Sequence, residues 1–236
     1  MIRSAIFLLL FIPFTLFIIF TGVPVTFFDP TRSFLHRYAG LWARFGLFLA
    51  GVRLRIENVE KVPVGQPLIF MGNHQSNFDI LALYAALPVH FSWIAKEELF
   101  RIPFFGFAMR RAGYIPLDRG DGRRALKSMD EAAKKIRSGV SVIVFPEGTR
   151  SRDGNLLPFK RGGFLLAARA GVPIVPFTIN GTDRINPAKT LRLCSGEVKI
   201  QFSDPIDTAG STGKKRDDLI DRVRDAIELG LERRVC

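Results

Sequence analysis

Val140-Ser141-Val142-Ile143-Val144-Phe145, running straight into Pro146-Glu147-Gly148-Thr149-Arg150, is the stretch from which the fold can be read. Uncharged and rich in β-branched residues, its first six positions describe a strand buried on both faces. The proline and glycine that follow end the strand and open a loop. Upstream, residues 123–137 put Ala125, Met129, Ala132, Ala133 and Ile136 on one side of a helix. Downstream, residues 161–170 read as a helix and 173–179 as a strand. The alternation extends toward the N-terminus, with strands at 67–71, 90–95 and 114–117 and helices at 79–87 and 97–111, the last disturbed by Pro103. Strands and helices at this interval predict an α/β domain: a mostly parallel sheet flanked by helices. Near the C-terminus, residues 191–194 and 197–202 flank Ser195-Gly196 and suggest a hairpin. A final amphipathic helix over 217–233 carries Ile220, Val223, Ile227 and Leu231 on one stripe.

The 236 residues carry 34 Lys+Arg against 22 Asp+Glu, a formal net charge of +12. Such an excess points to an anionic partner, and nucleic acid and anionic lipid both fit it. The N-terminus chooses lipid. Residues 4–28 contain no charge and consist mostly of Phe, Leu, Ile and Val. As one helix they would reach about 37 Å, enough for a hydrocarbon core, although Pro13 and Pro24 predict a kink. The run is long for the apolar core of a signal peptide, and no small-x-small site follows it. Residues 34–52 repeat apolar side chains at helical spacing, with Arg37 and Arg44 on the remaining arc. A core-packing helix of the soluble domain is the other reading of this segment. We expect a two-helix membrane anchor over residues 1–54 and an α/β domain over 55–236. Cys194 and Cys236 make neither a disulfide framework nor a metal-ligand spacing, and they fit a reducing, cytoplasmic side. Gly213-Lys214 lacks the glycine of a phosphate loop five positions earlier, and no dinucleotide fingerprint occurs.

At the end of the strand at 67–71 stands Asn73-His74-Gln75-Ser76-Asn77-Phe78-Asp79. In open α/β sheets ligands collect where strands hand the chain to loops at their carboxyl ends. On a regular helix, residues five apart point about 140° away from one another, so His74 and Asp79 could not pair there. They could pair if 74–78 form the turn into the helix and Asp79 enters its first turn, with Ser76 or Asn77 as the cap. An aspartate accepting from one imidazole nitrogen fixes the tautomer and leaves the other as a base. Taken alone, this spacing is better read as a capping Asp and an incidental His.

Four ordered blocks carry more. Asn73-His74-x-x-x-x-Asp79, Gly113-Tyr114-Ile115-Pro116-Leu117-Asp118-Arg119, Phe145-Pro146-Glu147-Gly148-Thr149-Arg150 and Val172-Pro173-Ile174-Val175-Pro176 together resemble the glycerolipid acyltransferases. The likeness is to the 1-acylglycerol-3-phosphate (lysophosphatidic acid) acyltransferases in particular. Lys96 and Pro158-Phe159-Lys160-Arg161-Gly162 also match common family positions, and the resemblance spans about residues 55–205. It implies direct acyl transfer, with His74 as general base and Asp79 orienting it. It also implies that Arg119, helped by Lys96 and Arg150, holds the acceptor's phosphate, and that Glu147 and Thr149 hold its glycerol. Backbone N–H groups near Gly148 would serve the oxyanion. The donor would be acyl-CoA or acyl carrier protein, and the acceptor lysophosphatidic acid, giving phosphatidic acid. No cofactor, metal or nucleic acid is expected, and anionic membrane lipids are expected partners of a catalytic domain on the cytoplasmic side. Another lyso-lipid acceptor, such as lyso-ornithine lipid, or an acyl thioesterase are the alternative readings. No G-x-S-x-G elbow exists to form a covalent acyl-enzyme.

Overall fold

The structure is a computed structural model that describes residues 2–29, 31–118, 122–151, 153–187, 190–211 and 214–232. Its centre is a seven-stranded sheet built from β1 (Val52–Glu57), β2 (Ile69–Gly72), β3 (Phe91–Lys96), β4 (Ile115–Leu117), β5 (Ser141–Val144), β6 (Ile174–Asn180) and β7 (Gly196–Phe202). The order across the sheet is β1-β7-β6-β2-β5-β3-β4, and only β6 and β7 run antiparallel. The central strands β2 and β6 are buried at every position, which is why they read as continuous apolar runs.

Alternation along each strand divides two cores. Phe70, Ile143, Val175 and Phe177 face one side, where α3 (Phe78–Ala86) packs. Ile69, Met71, Val142 and Ile174 face the other, against α5 (Arg123–Arg137), α6 (Arg161–Ala170) and α8 (Lys214–Gly230). A two-turn helix α4 (Phe105–Arg111) precedes β4, and one turn, α7 (Thr182–Ile185), follows β6.

Two N-terminal helices stack on the α3 side. α1 (Ile2–Val25) lies on α2 (Ser33–Ala50), and α2 lies on α3. Phe11 packs over Gly46, Phe14 meets Phe45, and the Trp42 indole donates to Thr15. Among the described residues α1 alone is long and apolar enough to cross a membrane, and most of its surface is open. α2 is a mixed helix: Ala43, Gly46, Leu47 and Ala50 are buried beneath it while Leu41 and Phe48 stay exposed. Both ends of α1 are tied to the α/β domain. Ser4 Oγ accepts from the Leu193 N–H of that domain, beside the Arg3 guanidinium, which donates to the Ala50 carbonyl at the end of α2. At the other end Thr26 Oγ1 accepts from Arg111 at the close of α4.

α1 runs as one helix through Pro13 and Pro24, and the Thr15 hydroxyl back-bonds the Phe11 carbonyl one turn before it. Two expectations are corrected, the helix at 97–111 and the hairpin at Ser195-Gly196. The helix expected at 97–111 is broken: a 3-10 turn at Glu97–Arg101 precedes α4 because Pro103 cannot sit inside a helix at this point. No hairpin forms around Ser195-Gly196. Residues 191–195 run outside any strand, and β7 pairs in parallel with β1. β1 lies at the edge of the sheet, with its Arg53 and Arg55 exposed as befits an edge strand.

Candidate active site

His74 and Asp79 meet. The chain leaves β2, turns through residues 73–77 and enters α3 at Phe78, so Asp79 stands in the first helical turn. Asp79 is fully buried, and its Oδ2 lies 2.6 Å from His74 Nδ1. The same oxygen accepts from the backbone N–H groups of Gln75 at 2.7 Å and Ser76 at 3.0 Å, while Oδ1 accepts from the Thr182 hydroxyl. The carboxylate thus holds the turn that carries the imidazole. Ser76 Oγ accepts from the Phe78 N–H, and Asn77, at the cap position, makes no capping bond. With Asp79 accepting at Nδ1, the ring proton sits there and Nε2 keeps its lone pair.

The imidazole is fixed on its flat face as well. It stacks on Phe145, with ring centres 4.0 Å apart and planes 6° from parallel, and Trp93 stacks behind Phe145. Asn73 clamps the end of β2 to β6 by exchanging two bonds with the Ile179 backbone.

Both carboxylate oxygens of Glu147 are engaged with the backbone. Only 2% exposed, it accepts from the His74 N–H through Oε1 and from the Leu157 N–H through Oε2. It fastens the turn that carries His74 to the loop after β5. Burial raises the Glu147 carboxyl above its ordinary pKa, against the lowering effect of those two N–H bonds. The Gly148 N–H closes a turn onto the Phe145 carbonyl, so it is not available to an oxyanion. Gly148 itself adopts φ +70°, and a Cβ there would come within 2.9 Å of Lys160 Nζ. Thr149 and Arg150 are exposed, and Arg150 donates to Asn77 Oδ1, linking the two signature strings.

His74, Phe145, Gly148 and Lys160 open onto a cavity of about 530 Å³. Behind them its walls are apolar, with Ile94, Leu117, Ala125, Met129 and Leu166 between the sheet and helices α5 and α6. Lys96 is exposed at the carboxyl end of β3, in register with Leu117 of β4. Arg119, two residues beyond Leu117, lies outside the described residues.

Three contributors went unremarked as site residues in the sequence. Lys160 brings a cation to the cavity, and its place in Phe159-Lys160-Arg161-Gly162 was the available signal. Phe145 was read as the end of a strand and the first residue of a signature block, with no role at the site. Thr182 had no local signal, since it reaches Asp79 across 103 residues of sequence.

Comparison with known proteins fits this geometry. The Acyltransferase family model matches residues 53–180, which include β1 to β6 and every residue named around His74 except Thr182. The chain belongs to the acyltransferase family. Among curated members, a chloroplastic 1-acyl-sn-glycerol-3-phosphate acyltransferase of Brassica napus is 38% identical over 88% of this chain and 59% of its own length. One from Arabidopsis thaliana is 37% identical over 93% and 61%. The chain therefore spans about three fifths of these two acyltransferases. A 1-acyl-sn-glycerol-3-phosphate acyltransferase of Haemophilus influenzae is 35% identical over 80% of both chains. The crystal structure of the 1-acyl-sn-glycerophosphate acyltransferase of Thermotoga maritima superposes with a TM-score of 0.80 at 27% identity, covering 97% of this chain and 96% of that one.

Within this candidate site, Glu147→Gln gives a sharp test of positioning. The amide would turn an N–H toward one of the two backbone N–H groups, leaving a buried donor unpaired at a cost of about 1–3 kcal/mol. Thermal melting should fall by about 3–10 °C. Turnover should fall with it because the His74 backbone loses its anchor.

Proposed function

We propose that this protein transfers an acyl chain from a thioester, acyl-CoA or acyl carrier protein, to the free hydroxyl of lysophosphatidic acid, giving phosphatidic acid. The observation that carries this reading is the His74–Asp79 pair opening onto an apolar cavity with Lys160 at its polar end. His74 Nε2 takes the hydroxyl proton as the oxygen attacks the thioester carbonyl. The tetrahedral intermediate collapses, the carbon–sulfur bond breaks, and the proton passes from His74 to the leaving thiolate. Asp79 holds the imidazole and stabilises its charged form between those two steps. Lys160 and Lys96 attract the acceptor's phosphate, together with Arg119. No cofactor takes part in this scheme.

The acyl chain is assigned to the apolar part of the cavity, beside Ala125 and Met129 of α5. Ala125→Phe and Met129→Trp would fill that end. Both are expected to move the preferred donor toward shorter chains, while the rate with the shortest donor stays within about threefold of the original. A donor-length series would check this. An unchanged preference would remove the assignment.

The reading places the protein at a membrane with its α/β domain on the cytoplasmic side. α1 is pinned to that domain at both ends, so it would lie along the domain and dip into one leaflet. The acceptor would then reach His74 from the lipid phase. Purified protein offered labelled thioesters and a panel of lyso-lipid acceptors tests the proposal. Phosphatidic acid formed from lysophosphatidic acid is the expected product. Preference for lyso-ornithine lipid, or release of free fatty acid alone, would replace it.

A further inference from the structure

Beyond α1, a second apolar surface stands open. Between β3 and β4, the segment after the Glu97–Arg101 turn exposes Ile102, Phe104, Phe105 and Phe107. Phe104 is 90% exposed and has φ +59° and ψ −50°. A bulky aromatic residue in that backbone region is strained, and such strain persists only where the surroundings enforce it. Here the strain turns a phenyl ring outward, where water gives it no return.

This surface is continuous with the end of α1. Phe27 and Phe28, just past that helix, are also exposed, Phe28 to 89%. Phe27 touches Phe107, with ring centres 6.5 Å apart. The Arg111 guanidinium sits 4.0 Å over the Phe27 ring and bonds Thr26, locking the two segments together. Arg101 and Arg110 border the patch, Arg101 paired with Glu97 and Arg110 donating to the Phe100 carbonyl. Exposed phenyl rings rimmed by arginine suit an interface between hydrocarbon and anionic headgroups.

We propose that Phe104 and its neighbours form a second membrane-inserting wedge, docked on an anionic lipid bilayer beside α1. The wedge begins one turn after Lys96, at the carboxyl end of β3, and so pins that side of the cavity to the lipid surface. The membrane contact stands independently of the acyl-transfer reading; only its use in feeding acceptor to His74 rests on it.

Depth labelling of the full chain tests this. With Cys194→Ser and Cys236→Ser as background, nitroxide labels are attached at Phe104→Cys, Phe28→Cys and, as a water-facing reference on α5, Glu131→Cys. In phosphatidylglycerol-containing vesicles the labels at 104 and 28 should be relaxed by oxygen and shielded from a water-soluble nickel chelate. The label at 131 should behave oppositely. Equal chelate access at 104 and 131 would overturn the proposal. So would spin–spin broadening at 104 that survives dilution with excess lipid, because it would assign the patch to a second copy of the chain. If Phe104→Cys does not fold, a label at Ile102→Cys in the same segment decides in its place. Phe104→Asp should lower turnover about tenfold or more on acceptor diluted in vesicles. On a short-chain acceptor dissolved as monomers the rate should hold. Equal rates for Phe104→Asp and the unaltered protein in vesicles would count against the wedge even if the acyl-transfer reading stands.

Discussion

His74→Ala is expected to lower turnover by about 10²–10⁴-fold, the usual contribution of a positioned general base. The protein should otherwise stay intact. The His74 side chain is 17% exposed at the edge of a cavity, and its removal leaves Asp79 with three other donors, from Gln75, Ser76 and Thr182. No buried carboxylate is stranded, so melting should shift little. The lost stack on Phe145 is the main structural cost. Steady-state rates with purified variant, set beside its melting curve, separate the chemical role from a structural one. A variant within a few-fold of full activity would remove His74 as the base.

Asp79 should behave differently because, on the proposed mechanism, it serves both chemistry and architecture. Asp79→Ala removes the acceptor for two backbone N–H groups, the Thr182 hydroxyl and the His74 ring at a fully buried position. Leaving those donors unsatisfied should cost about 3 kcal/mol or more, or about 6–12 °C in melting. Activity should fall at least as far as in His74→Ala, since the turn itself loosens. Asp79→Asn splits the two roles. Its carbonyl can still accept from Gln75, Ser76 and His74, and its amide can donate to the Thr182 oxygen, so stability should largely return. A neutral amide stabilises the imidazolium far less, and turnover should remain about 10²–10⁴-fold down. If Asp79→Asn recovers full rate as well as stability, the carboxylate serves only to hold the turn.

The sheet was legible where burial is two-sided. β5 and β6 spell themselves out because parallel central strands need apolar side chains on both faces, and α5 shows its stripe because it covers one face only. β1 was hidden by its position. As an edge strand it alternates charge with modest burial, and its partner β7 begins 144 positions after it begins. The expected hairpin at Ser195-Gly196 arose from local turn chemistry, which cannot register that β7's neighbours are distant.

For the candidate site, the two strings located the turn and the loop, and the strand-to-helix geometry is the one in which His74 and Asp79 can touch. What each residue holds was less visible. Glu147 sits in a motif beside a cavity, yet its charge is spent on the backbone of His74 and Leu157. Gly148 likewise closes a turn through its own N–H. Buried backbone donors must be paired, and only the folded path of the chain reveals which carboxylate pairs them. Thr182 belongs to a different strand end altogether.

The central claim is that His74 moves one proton so that a lipid hydroxyl, rather than water, takes the acyl group. The most direct measurement is a single turnover with doubly labelled thioester and lysophosphatidic acid, following free thiol and acyl products together. One phosphatidic acid should appear for each thiol released, with no acylated protein on the way, and His74→Ala should abolish both signals together. Thiol release matched by free fatty acid, or an acyl group trapped on the polypeptide, would contradict it.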